Sequence, residues 1–239
     1  MIIEEMSTVA FQEGLTKTRT VIVPLGSVEE HGPHLPMNTD ILHAYHIAKK
    51  TAEKIDVFVA PPIYFGVCRC TARFPGTIDI RPETLEMLIN DVVNALYRHG
   101  LRRFILYSGH AGMNHRASML NSADTLLAVY DDIVISSITD ADLVDQDFFE
   151  IVETAGDSHA GEIETSLVMS IAPELVGEPP EADAPIFPRS MVVKDTRKYW
   201  KSGVWGDPKK ASADKGRRMM EILTGNLESL VGRIGSFAE

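Results

Sequence analysis

Three times in the first 130 residues a short apolar run breaks into a polar cluster, and an amphipathic stretch of helical period follows. "TVIVPLG" (20–26) leads into "SVEEHGPHLPMNTD" and then "DILHAYHIAKKTAEKI" (40–55). "DVFVAPPI" (56–63) leads into "YFGVCRCTARFPGT" and then "RPETLEMLINDVVNALYRHG" (81–100). "RRFILYSG" (102–109) leads into "GHAGMNH" and then "NHRASMLNSADTLLAVY" (114–130), and "DIVISSIT" (132–139) adds a fourth apolar run. Short apolar runs bounded by turn residues read as buried strands. The stretch 81–100 reads as a helix, with Leu85, Leu88, Ile89, Val92, Val93 and Leu96 on one face and Gly100 as its stop. Asn38 or Thr39 is the expected cap of the helix over 40–55. A β-α-β-α order implies parallel strands joined by right-handed crossovers, hence an α/β chain with a mainly parallel sheet.

That order has a functional consequence. Ligands of open α/β sheets bind beyond the carboxyl ends of the strands. All three polar clusters follow strands, so the topology should bring them to one edge. The proline- and acid-rich stretch 172–190 reads as an irregular excursion, because the segment after it is marginal for an independent domain, and 208–235 reads as a closing helix. Residues 1–239 are therefore expected to form a single domain.

The clusters are rich in metal-ligating types. Glu29 and His31 are two residues apart and leave the same face of an extended segment. Asp40 sits at a helix start, where a carboxylate is favoured. Two carboxylates and an imidazole suit zinc, manganese or iron(II); the plainer alternative is a polar loop with Asp40 as a cap. His110 follows a buried strand between small residues, where it is either a ligand or a strand-end cap. In "GDSHAGEIETS" (156–166), Ser158 is a candidate N-cap, and His159 and Glu162 would share a helix face at i and i+3. Glu164 would then point elsewhere and orient a ligand from outside.

The formal net charge of -11 disfavours nucleic acid and anionic membranes as partners. The two cysteines, Cys68 and Cys70, are too close for a structural disulfide, which suggests a reducing, cytoplasmic setting. No signal-like leader opens the sequence and no apolar run approaches the length of a membrane span. Cys68 and Cys70 read as metal ligands or nucleophiles or, more plainly, as small residues packed beside the site, since their spacing is tighter than the C-x2-C of thiolate metal sites. Arg69 and Arg73 read equally as grips for an anionic substrate group or as solvated loop charges. Trp200 and Trp205 suit a lid or an oligomer contact.

The stretches "VIVPLGSVEEHGPHLPMNTD", "FPGTIDI", "YSGHAGMN", "HAGEIETS" and "SGVWGDPKKASADKG" together resemble the creatininase (creatinine amidohydrolase) family, from near residue 20 to near residue 216. The resemblance implies a Rossmann-like three-layer α/β/α fold, a metal-dependent amidohydrolase with two divalent ions, and a homohexamer. It implies that Glu29 and His110 bind one ion, His31 the other, and that Asp40 bridges them. His159 matches a family histidine used in proton transfer. Where creatininase carries a second-site glutamate, this chain has Gly112, and Glu162 is the expected replacement. Two aromatic walls of the creatininase pocket correspond to Ala111 and, approximately, Ala155. Glu30 and His34 are expected in supporting positions. The implied reaction is hydrolysis of a non-peptide C–N bond, a cyclic amide above all. The alternatives are a formamide deformylase, a small peptidase of the same family, or a catalytically silent scaffold.

Overall fold

In a computed structural model that describes residues 1–237, a short helix α1 (Thr8–Gly14) precedes β1 (Thr20–Leu25), α2 (Thr39–Lys54), β2 (Phe58–Val59) and α3 (Pro82–Arg98). β3 (Arg103–Ser108), α4 (Met113–Leu127) and β4 (Val134–Thr139) follow, then α5 (Gln146–Phe149), α6 (Glu162–Ile171) and α7 (Ala213–Ser236). The four strands are parallel in the order β2-β1-β3-β4. β1 and β3 run in register from Thr20–Arg103 to Leu25–Ser108, so both end at the same level.

Alternation along the strands builds two cores. Ile22, Ile105 and Tyr107 face α2, α5, α6 and α7, where they meet Ala44, Ile47, Phe148, Leu167 and Leu223. Val21, Val23, Phe104 and Leu106 face α3 and α4 and meet Leu85, Ile89, Val93 and Met119. Side chains of a strand alternate between faces, so a sheet buried on both sides needs apolar residues at every position. All six residues of β1 are buried, which gives the three-layer α/β/α fold.

β2 is shorter than the run 56–63 suggests. Pro61 and Pro62 lack the N–H that a ladder needs. The chain leaves the sheet there and rejoins it at Ile63, whose N–H donates to the Pro24 carbonyl at 2.9 Å. The closing helix begins at Ala213, with the Ser212 side chain accepting from the Lys215 N–H at 3.2 Å. Asn38 takes the cap position of α2 without a side-chain bond. Among the described residues no helix is long and apolar enough to cross a membrane.

A charge pair between buried His43 and half-buried Asp140 ties α2 to the end of β4. His43 Nε2 lies 2.8 Å from Asp140 Oδ2, off the line of a good hydrogen bond, so the contact is electrostatic first. Burial alone would lower the His43 pKa; the Asp140 charge outweighs it and lifts it to about 9. A raised histidine pKa stabilises the fold fully below its unfolded value of about 6.5, and that contribution is lost as pH rises through about 9. Asp140→Asn is expected to lower the stability of the metal-free protein by about 3 kcal/mol at pH 7, since a buried charge loses its partner. Urea unfolding of the two proteins should show that gap narrowing as pH rises through about 9.

Candidate metal centre

The carboxyl ends of β1 and β3 open beside the first turn of α2, and the expected clusters meet there. The loop after β1 supplies Glu29 and His31, α2 supplies Asp40 in its first turn, and the residue pair after β3 supplies His110. Gly109 makes the approach possible. A Cβ there would stand 2.2 Å from the Asp40 carbonyl oxygen and 2.6 Å from His43 Nε2. Glu29, His31, Asp40 and His110 are all buried.

Asp40 joins two halves. Its Oδ1 lies 3.0 Å from His31 Nε2, and Glu164 Oε2 lies 3.7 Å from the same nitrogen. Its Oδ2 lies 3.2 Å from His110 Nδ1, which is 2.8 Å from Glu29 Oε1. Ser27 Oγ donates to Asp40 Oδ2 at 2.6 Å, and the Thr71 hydroxyl donates to Glu29 Oε2.

The histidines carry a further constraint in their outer nitrogens. His31 Nδ1 lies 3.1 Å from the Glu29 carbonyl, and His110 Nε2 lies 3.1 Å from the Val67 carbonyl. A carbonyl only accepts, so each of those nitrogens carries the proton. In the neutral rings, His31 Nε2 and His110 Nδ1 are then lone pairs, and both are aimed at carboxylate oxygens. Two lone pairs facing anions repel unless a cation stands between them. Either both imidazoles are protonated or each half holds a metal ion. Anchoring the far N–H on a carbonyl is also the usual support of a metal-ligating histidine. The donor set therefore fits two divalent ions.

The electrostatics of the cluster express the same need. Burial opposes charge on every group, and the opposite charges outweigh it. His110 holds Glu29 down to about 2, and His31 and His110 hold Asp40 well below the ordinary carboxylate range. Asp40 and Glu164 lift His31 to about 10, and Glu29 and Asp40 raise His110.

Glu162 is not with the cluster, contrary to the expectation from the sequence. Its carboxylate accepts from the backbone N–H groups of Glu153 and Thr154 and from Lys215 Nζ at 2.6 Å. The reason lies in where α6 begins. Ser158 does not cap it. The Asp157 carboxylate accepts from the N–H groups of Glu162 and Ile163, at 2.8 and 2.9 Å, so the helix starts at Glu162. His159 and Glu162 thus lie on either side of a non-helical turn through Ala160, at φ +50°, and the i, i+3 relation never forms. Glu164, two residues on, faces His31 and completes the second half.

His159 stands at the edge of the cluster. Its ring stacks on His31 at a centroid distance of 4.3 Å, and Nε2 lies 2.8 Å from the Glu30 carbonyl. By the same logic Nε2 carries a proton, which leaves Nδ1 as the ring nitrogen free to exchange one. Burial and His31 push the His159 pKa down; Glu30, Glu164 and Glu29 outweigh them and raise it. Glu30 supports this ring, with Oε1 3.5 Å from Nε2, and its Oε2 accepts from the Gly32 N–H at 3.0 Å. His34 turns away and bonds Thr165 Oγ1 at 2.9 Å; burial lowers its pKa to about 4.

A cavity of about 210 Å³ opens over the cluster. Ala111 lines it, as the lost aromatic position predicts, but Phe187, Trp200 and Trp205 supply walls from the C-terminal third of the chain. Trp200 meets His159 edge-on at 5.2 Å and donates from Nε1 to the Val204 carbonyl at 2.8 Å. Arg69 lines the cavity, whereas Arg73 Nε donates to the Lys194 carbonyl at 3.1 Å. Phe187 lies in the stretch set aside as an irregular excursion, and nothing in its local pattern pointed to the cavity.

Residues 4–231 match the creatininase family model, described as creatinine amidohydrolase. A mycofactocin precursor peptide peptidase of Mycolicibacterium smegmatis is 32% identical over 222 residues, which is 86% of this chain and 81% of that one. The creatinine amidohydrolase of Pseudomonas putida is 27% identical over 224 residues, 84% of each chain. A solved structure named Creatininase Mn superposes with a TM-score of 0.90 at 24% identity, covering 99% of both chains, and bears on the fold alone. A match of this extent, on a chain with this fold, has one reading: the protein belongs to the creatininase family of amidohydrolases.

Proposed function

We propose that this chain hydrolyses the C–N bond of a small amide at a centre of two divalent ions. Glu29, His110 and Asp40 Oδ2 would hold one ion, and His31, Glu164 and Asp40 Oδ1 the other. The observation that carries this reading is the pair of imidazole lone pairs aimed at the two oxygens of one buried carboxylate. Bound there, zinc, manganese or iron(II) would supply Lewis acidity toward a carbonyl oxygen and lower the pKa of water toward neutrality.

The chain supplies the rest. Two dications held there would favour the oxyanion that develops as a carbonyl is attacked. His159, anchored through Nε2, takes and returns a proton at Nδ1, and the departing nitrogen receives it. Phe187, Trp200 and Trp205 exclude water from one side and seat a flat, largely apolar substrate body. A cavity of about 210 Å³ suits a cyclic amide. The peptide reading has one observation in its favour, the 32% identity to a peptide peptidase. Turnover of a panel of cyclic amides, formamides and short peptides by the metal-loaded protein separates the two, and a panel without any turnover contradicts both.

The roles of the two α6 glutamates make a sharper test. Glu164→Gln is expected to reduce bound metal from two ions per chain to one and to weaken binding at least about tenfold. Glu162→Gln should leave metal content unchanged and lower stability by about 1–3 kcal/mol, because Lys215 and two backbone N–H groups lose a charged acceptor. Elemental analysis with urea unfolding reads both, and the reverse pattern would contradict the assignment.

A further inference from the structure

Cys68 is a buried group of the site that this account of hydrolysis leaves without a task. It is 1% exposed and lines the cavity. Its Sγ, a Glu29 carboxylate oxygen and a His110 ring nitrogen all lie within 4.8 Å of one another. Donors around one zinc ion, at about 2.0–2.3 Å from the metal, stand roughly 3.3–3.8 Å apart, so this grouping would close on an ion with shifts of at most about 1–1.5 Å.

The loop that carries the thiol also sets the other two donors. The Val67 carbonyl takes the His110 Nε2 proton at 3.1 Å, and the Val67 N–H donates to His115 Nδ1 at 3.3 Å. Thr71 holds Glu29 through its hydroxyl. The Cys68 N–H is itself fixed on Asp79 Oδ1 at 2.7 Å. Gly66 lets the loop approach, since a Cβ there would stand 2.8 Å from both the Gly26 carbonyl oxygen and Ser27 Cβ. One turn thus places the sulfur and, through Val67 and Thr71, orients the imidazole and the carboxylate beside it.

We propose that Cys68 is a thiolate donor to the ion held by Glu29 and His110, which makes this half of the centre selective for zinc over manganese. The proposal rests on the two-ion reading of the site. On binding, the S–H bond breaks, the proton leaves to solvent and the sulfur keeps the electron pair, so no oxidant is needed. Thiolate is a soft donor and favours zinc, whereas the half built on His31, Glu164 and Asp40 offers only nitrogen and oxygen and accepts manganese. The two halves of the centre would then differ in metal preference although they share Asp40.

Cobalt(II) titration of the chelator-stripped full chain tests this without any assay of activity. The wild type should develop a near-ultraviolet sulfur-to-cobalt charge-transfer band together with the visible bands of bound cobalt. Cys68→Ser should lose the first and keep the second, and its zinc affinity at one of the two sites should fall at least about tenfold. Cys70→Ser should keep both bands. Visible bands without the sulfur band in the wild type, or a sulfur band that survives in Cys68→Ser, overturn the role of Cys68 and leave the two-ion reading standing. Failure of the wild type to bind cobalt or zinc at all overturns both.

Discussion

Asp40→Asn is expected to empty both halves of the metal centre at once. Asp40 Oδ1 lies 3.0 Å from His31 Nε2 and its Oδ2 3.2 Å from His110 Nδ1, so one side chain serves both halves. Asparagine keeps the shape but loses the charge, and its amide nitrogen would donate to one imidazole lone pair, blocking that half outright. Bound metal should fall from two ions per chain to fewer than one, and turnover by more than about 10³-fold, beyond the loss from removing a single oxyanion donor. The fold should survive. Ser27 can still donate to the amide oxygen, but in the metal-free protein His31 and His110 lose the buried counter-charge that helps raise both their pKa values. Thermal unfolding should therefore stay cooperative, with a midpoint below that of the metal-free wild type. The gain on adding metal, about 2.7 kcal/mol at a hundredfold excess over the dissociation constant in the wild type, should vanish.

His159→Ala is expected to separate chemistry from metal binding. The ring stacks on His31 but is anchored on the Glu30 carbonyl, outside the donor set proposed for either ion. Its removal should lower kcat by about 10²–10⁴-fold, the range for loss of a positioned general acid or base, while two ions stay bound. A merely structural loss would raise KM or reduce metal content instead. Added imidazole should restore part of the rate by occupying the space left between Trp200 and His31, and the limb of the pH–rate profile assigned to His159 should disappear in the variant.

The sheet and its site were legible for one reason: each polar cluster follows a strand whose apolar run is unbroken. "TVIVPLG" and "RRFILYSG" differ in sequence but end at one level because β1 and β3 pair from their first residue to their last. That pairing brings Glu29, His31, Asp40 and His110 to one edge, whereas their division between two ions was read from the family resemblance. Glu164 was not legible in this way, because its position depends on the start of α6. "GDSHAGEIETS" offers Ser158 as an ordinary cap, and only the three-dimensional turn at Ala160 hands the capping to Asp157 and shifts the helix to Glu162. A shift of this size turns Glu164, and not Glu162, toward His31. Of the aromatic walls, Trp200 and Trp205 read from the sequence as a lid or an oligomer contact, and Phe187 was not legible. Ala111 and Ala155 were weighed against their local positions in the family motif, whereas Phe187, Trp200 and Trp205 enter the cavity from a distant segment without regular structure. Cys68 read more plainly as packing because the one-residue spacing to Cys70 argues against a site made of both, which says nothing of one cysteine beside Glu29 and His110.

Anomalous diffraction from crystals of the metal-loaded protein tests the central claim most directly. The account predicts two peaks about 3.5–4 Å apart, the spacing of two-metal sites, one between Glu29 and His110 and one between His31 and Glu164, with Asp40 spanning both. A single peak, or a second peak on Glu162 rather than Glu164, would contradict it.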